Sequence, residues 1–129
     1  MCPALSTPRA EAGLGAAVAA LLLLALALPH LALPEHYHHF ADQRTLAGLP
    51  CAADVLSNLA FALVGVAGLR ALRGACWRTP WVALAGLLCA GLLVTAAGSS
   101  VYHLAPGDAG LVLDRAAMAL PFAGLLGLV

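Results

Sequence analysis

The sequence has no lysine, and only 9% of its 129 residues are charged, six basic against six acidic for a net charge of zero. Soluble domains average about 25% charged residues, so an ordinary soluble fold is excluded. Nor is there a basic stripe or basic-aromatic interleaving that could track a phosphate backbone, which removes nucleic-acid binding. The four cysteines are an even number, but no CxxC spacing occurs. Cys2 stands near the N-terminus, Cys51 in a polar loop, Cys76 in a basic loop and Cys89 inside an apolar run. Neither a disulfide framework nor a zinc knuckle is expected from them. The GxSxG element that exposes a serine nucleophile is also missing.

What remains is apolar. Hydrophobic residues make up 63% of the chain and the mean hydropathy is +0.97. Only helices and closed barrels satisfy their backbone within a bilayer. The apolar runs are continuous and do not alternate, which selects helices over barrel strands. The expected class is all-α, a polytopic transmembrane helix bundle.

Four runs are long enough to consider, at about 12–33, 52–72, 81–103 and 111–129, against the roughly 20 residues needed to cross. The first could instead be a cleaved signal peptide. Its length, the interruption at Pro29-His30 and the absence of a small-x-small site favour a spanning helix. In the fourth run the uninterrupted part, Ala116 to Val129, gives only about 21 Å of helix, short of the roughly 30 Å hydrocarbon core. The sequence is therefore expected to be the N-terminal part of a longer protein. Residues 70–80, at the end of the second run and before the third, hold Arg70, Arg73 and Arg78 with no acidic residue, flanked by Trp77 and Trp81. The positive-inside rule puts that loop in the cytoplasm, and the two flanking loops outside.

The polar residues within these runs carry the chemistry, because ionisable groups at membrane depth are expensive and mark sites. Asp54, Ser57 and Asn58 share one face of the second run. Asp54 is placed to cap the first turn. Ser57 and Asn58 are placed either to bond a neighbouring helix or to line a site. In the third run Thr95, Ser99 and His103 recur every fourth residue, one stripe on one face, with Tyr102 expected at the outer interface. Small residues (Gly65, Gly68, Gly86, Ala90, Gly91, Ala96, Ala97 and Gly98) allow helices to approach closely. Asp114 opens the fourth run at a depth similar to Ser99 and His103. His36, His38 and His39 form a tract that fits either a metal site or an interfacial cluster.

Three readings of Ser99, His103 and Asp114 stand. A hydrolytic triad lacks an oxyanion hole and a nucleophile turn. In a metal-dependent hydrolase His103 would be a zinc ligand, Asp114 a general base and Ser99 an oxyanion donor, with further ligands supplied from elsewhere. In a structural reading the serine and histidine belong to an ordinary helix end, and Asp114-Arg115 is a local ion pair or a charge favoured by the helix dipole.

Four blocks in order carry a resemblance: Tyr37-His38-His39-Phe40-Ala41-Asp42-Gln43-Arg44, Asp54-Val55-Leu56-Ser57-Asn58-Leu59, Ser99-Ser100-Val101-Tyr102-His103-Leu104-Ala105-Pro106, and Leu113-Asp114-Arg115-Ala116-Ala117-Met118. Over about residues 36–122 the chain resembles the bacterial membrane proteins of the alkaline ceramidase family, within the CREST superfamily of membrane hydrolases. The resemblance implies a seven-helix zinc amidase core in a bacterial cell membrane, preceded here by one extra helix. It makes His103 a zinc ligand and puts the catalytic residues Ser99 and Asp114 beside the water. It also implies a ceramide-like lipid as substrate. The family's late HxxxH pair, which completes the zinc site, is not in the sequence and is expected beyond Val129. Without it the chain is expected to be inactive. The acidic calcium-binding segment of the eukaryotic relatives is replaced by a histidine-rich one with only Glu35 and Asp42, so a calcium site is not expected. A receptor-like or lipid-binding protein with the same metal pattern and a purely structural membrane protein are the alternative functions.

Overall fold

The computed structural model describes residues 8–28, 33–34 and 36–129. Cys2, His30 and Glu35 lie outside the described residues, as does most of the polar leader. Residues 1–34 and 35–129 form two separate units. In the first, α1 spans Pro8–Ala27, earlier than the 12–33 read from hydropathy, and its described apolar stretch is Gly15–Leu24.

The second unit holds α2 (Ala52–Ser57), α3 (Leu59–Ala71), α4 (Pro80–Leu104) and α5 (Asp108–Leu128). Helices α2 and α3 together make one 20-residue span that is interrupted at Asn58. With α4 and α5 they are three helical segments long and apolar enough to cross a membrane, among the described residues. No strand is among the described residues, and the only extended pairing there is an isolated Leu46–Leu49 bridge. The architecture is thus all-helical, as in an integral membrane protein.

The bundle is apolar outside and small or polar inside. Leu63, Val112 and Leu126 are each at least two-thirds exposed, whereas Gly91, Thr95, Ala96, Gly98, Ser99, Asp114, Ala117, Pro121 and Gly124 are buried. Water would not sort residues this way. A bilayer does, because lipid tails give large apolar side chains no reason to leave the surface and helices meet through small residues.

The tightest seam is α4 against α5. A Cβ on Gly91 would stand 2.5 Å from the Pro121 backbone nitrogen, and one on Gly124 2.5 Å from that of Leu88. Gly98 faces Ala117 and Leu113. On the other side of α4, Gly65 of α3 lies against the Cys89 carbonyl. The seam also repairs a defect. Pro121 sits inside α5 and has no N–H for the carbonyl four residues earlier, that of Ala117. Thr95 Oγ1 of α4 donates to that carbonyl at 3.2 Å, so the group is satisfied across the helix pair, as membrane helices with internal proline require.

Two sequence expectations need correcting here. Helix α5 starts at Asp108, not near 111, and its 21 residues are long enough to cross. Asp114 and Arg115 lie within it, and they do not shorten it to the 14 residues from Ala116. Hydropathy discounts a charged pair, but the helical backbone does not stop for one. Second, Asp54 does not cap α2. The residue preceding α2 is Cys51, and no side chain there caps it. The Ala53 N–H instead donates at 2.7 Å to Asp42 Oδ2, from the preceding loop.

Candidate functional site

The polar residues gather at the end of the bundle that bears the histidine tract. Loop 36–51 folds over this end and is fastened at two points. At one, His38 lies between two partners, its Nδ1 2.9 Å from the Tyr102 hydroxyl and its Nε2 3.0 Å from Asp108 Oδ1. Tyr102 is therefore not an open interfacial ring. It is only 5% exposed and sits under the loop. Phe40 packs edge-on against Tyr102 and at 4.5 Å between ring centroids against His103. Of the three tract histidines only His38 is docked, while His36 and His39 are exposed.

The second fastening is Asp42. Its carboxylate accepts from Arg44 Nε at 2.6 Å, from the Arg44 N–H at 3.3 Å and from the Ala53 N–H at 2.7 Å. These bonds, the Arg44 side chain first, hold its pKa below the ordinary aspartate value of 3.8 because they favour the charged form. A lowered folded pKa means that the contribution of Asp42 to stability is complete above the unfolded value. It is lost as pH falls through the lower folded one. Protection of the Ala53 amide from hydrogen exchange is therefore expected to fall in acid, below about pH 4. In Asp42→Asn it should be weaker at neutral pH and show no such acid decline. An acid decline of equal size in that variant would mean that another group holds the loop.

Ser57 and Asn58, read as bonding a neighbouring helix or lining a site, turn back instead. Ser57 Oγ and Asn58 Nδ2 both donate to the Asp54 carbonyl, at 2.8 and 3.1 Å. This ties the last turn of α2 to its first and marks the break before α3.

Ser99, His103 and Asp114 stand below this lid. Ser99 is 9% exposed and Asp114 6%, while His103 is partly exposed. Gly98 packs on Leu113 and Ala117, one residue before and three after Asp114, so this turn of α5 lies at the level of Gly98 and Ser99. No hydrogen bond joins Ser99 to His103 among the described residues. Asp114 Oδ2 is 3.9 Å from Arg115 Nε, a loose pair with an exposed guanidinium. Two side-chain atoms, His103 Nδ1 and Asp114 Oδ1, are buried with no hydrogen-bond partner among the described residues. Among the described residues the acidic group closest to His103 is Asp54, whose Oδ2 is 4.0 Å from that same Nδ1.

Deeper along the Thr95–Ser99–His103 stripe lies an apolar cleft of about 240 Å³ between α3, α4 and α5, lined by Phe61, Leu92, Thr95, Met118 and Phe122 among others. No cluster of three or more metal-ligating side chains occurs among the described residues, and Cys51, Cys76 and Cys89 are free.

Sequence reasoning missed Asp42 as the α2 cap, His38 as the docked member of its tract, and the approach of Asp54 to His103. The last two pair residues far apart in the chain and the first closes the loop before α2, and periodicity gives no signal for any of them. No family model, curated protein or solved structure matches the chain.

Proposed function

We propose that this chain is part of a membrane-embedded, zinc-dependent hydrolase that cleaves the amide bond of a ceramide-like lipid, in the inner membrane of a bacterium. The observation that carries the reading is the buried, unpartnered carboxylate oxygen Asp114 Oδ1, at the end of the bundle that also holds the His103 imidazole. Polar side chains that only glue helices are satisfied by their neighbours, as Thr95 is. Leaving buried groups unsatisfied costs on the order of 1–3 kcal/mol each, and such groups concentrate where chemistry needs them. The four blocks that resemble alkaline ceramidases support the same reading, since their polar residues lie at one end of one bundle.

The described residues supply one zinc donor, His103, with no cluster of three ligating side chains around it. His103 is a suitable ligand at a helix end, and because catalytic zinc takes three protein ligands, two more would have to join it. Bound zinc would supply Lewis acidity and lower the pKa of a water to about 7. The chain's own residues do the rest. Asp114 takes the proton of the attacking water at its buried carboxylate and returns it to the departing nitrogen. The amide C–N bond breaks as a C–O bond forms, releasing a fatty acid and a long-chain amine. The Ser99 hydroxyl donates to the oxyanion that develops on the carbonyl. A lipid amide never has to leave the bilayer to reach this level, and the apolar cleft below Ser99 suits an acyl chain. The same cleft would serve a receptor-like lipid-binding protein, which turnover distinguishes.

The test is zinc stoichiometry and amide turnover of the full-length protein in nanodiscs. One zinc per chain, lost in His103→Ala together with turnover of a ceramide, is the expected result. Zinc bound without turnover would favour the receptor-like reading. Zinc content unchanged in His103→Ala would overturn the site.

A further inference from the structure

Asp54 is left without the capping role that its position in the first turn of α2 invites. Asp42 has taken that amide. The Asp54 side chain is about one-third exposed, and its Oδ2 lies 4.0 Å from His103 Nδ1, the imidazole nitrogen that is buried without a partner. An N–H···O bond spans about 2.9 Å, so roughly 1 Å of side-chain rotation separates the present distance from a bond. Three local features hold the two groups opposite each other. The Asp42 carboxylate anchors the amide next to Asp54, and Ser57 and Asn58 both clasp its carbonyl. On the other side, the Phe40 ring lies 4.5 Å from the imidazole, centroid to centroid. That is considerable local support for a residue with no assigned task.

We propose that Asp54 is the positioning residue for His103. Its carboxylate accepts the Nδ1–H, fixes the neutral ring in that tautomer, and leaves the Nε2 lone pair as the atom that binds a ligand. Which ring nitrogen carries the proton is set by the hydrogen bond the other environment offers, and a carboxylate behind a metal-binding histidine is a recurrent arrangement. What Nε2 then binds rests on the zinc reading above. The Asp54–His103 pairing rests on geometry alone.

Histidine labelled with ¹⁵N, observed by two-bond nitrogen–proton correlation at about pH 8, above the ordinary histidine pKa of about 6.5, reports the tautomer without any metal. In the wild-type chain in nanodiscs His103 should carry its proton on Nδ1. Asp54→Ala should shift the tautomer ratio about tenfold toward Nε2–H, the size expected for one charge-assisted hydrogen bond. Asp54→Asn, whose amide oxygen still accepts, should keep the wild-type form. A wild-type proton on Nε2 overturns the proposal. So does an alanine variant of unchanged helix content that keeps the wild-type tautomer. If the alanine variant does not fold, the wild-type and asparagine spectra decide: Nδ1–H in both supports the pairing, and Nε2–H in either defeats it. In the full-length protein, Asp54→Ala should weaken zinc binding about 10- to 100-fold at unchanged stoichiometry. A wild type that takes up no zinc but shows the Nδ1–H tautomer would overturn the hydrolase and leave the pairing standing.

Discussion

In the proposed hydrolase, Asp114→Asn is expected to remove about 10²–10⁴-fold of amide turnover while leaving zinc bound and the fold at least as stable as the wild type. The substitution keeps the shape of the side chain and removes its basicity. A structural aspartate would behave in the opposite way. Asp114 is 6% exposed, its Oδ1 has no partner, and its nearest cation, on Arg115, is 3.9 Å away and mostly in the open. A buried carboxylate so poorly compensated destabilises the folded state, so neutralising it relieves the bundle rather than weakening it. Initial rates on a ceramide, zinc content and detergent unfolding midpoints, measured together, separate the cases. A large fall in the unfolding midpoint with turnover intact would return Asp114 to the structural reading.

The largest effect on stability is expected from Gly91→Val. A first carbon at that position already meets the Pro121 ring nitrogen at 2.5 Å, the ring Cδ at 2.7 Å and the Leu120 carbonyl carbon at 2.9 Å. These are backbone and ring atoms, which cannot swing aside. Over-packing of this kind typically costs about 1–3 kcal/mol, and here it should reach or exceed the upper end. Pushing the helices apart also stretches the Thr95–Ala117 bond and returns the proline-freed carbonyl to an unsatisfied state. Gly127→Ala is the control. Its added carbon would meet the end of the Leu84 side chain, which can change rotamer, so little loss is expected. Unfolding midpoints in mixed detergent micelles give the comparison, and equal losses in the two variants would mean that the seam is looser than its distances imply.

These two residues also mark how far the sequence could be read. Membrane helices are specified by composition along one run, so the second and third spans were legible to within a residue or so at each end, as was the small-residue seam at Gly91 and Gly98. The fourth was read three residues late at its start and too short in its uninterrupted part, because a helix accommodates Asp114 and Arg115 where a hydropathy scale sees an interruption. The stripe of Thr95, Ser99 and His103 was legible as a face, but the employment of Thr95 was not. It needs Pro121, and the link appears only once the carbonyl freed by that proline is counted. Tertiary pairings were the hardest to read. Nothing local in Tyr37 to Arg44 distinguishes His38 from its neighbours, because what selects it is Tyr102 and Asp108, far along the chain.

Only Ala105, Pro106 and Gly107 separate α4 from α5, and this short turn bears on how the protein is made. An aspartate at the centre of a lone segment entering a bilayer faces a penalty of about 2.5–3.5 kcal/mol. Two helices joined so closely can enter as one hairpin, with Asp114 turned toward Gly98 and Ser99 instead of toward lipid. Contacts near in sequence also form early. The packing of α4 on α5 is therefore expected at insertion, before the loop that carries His38, Phe40 and Asp42 closes over that end of the bundle.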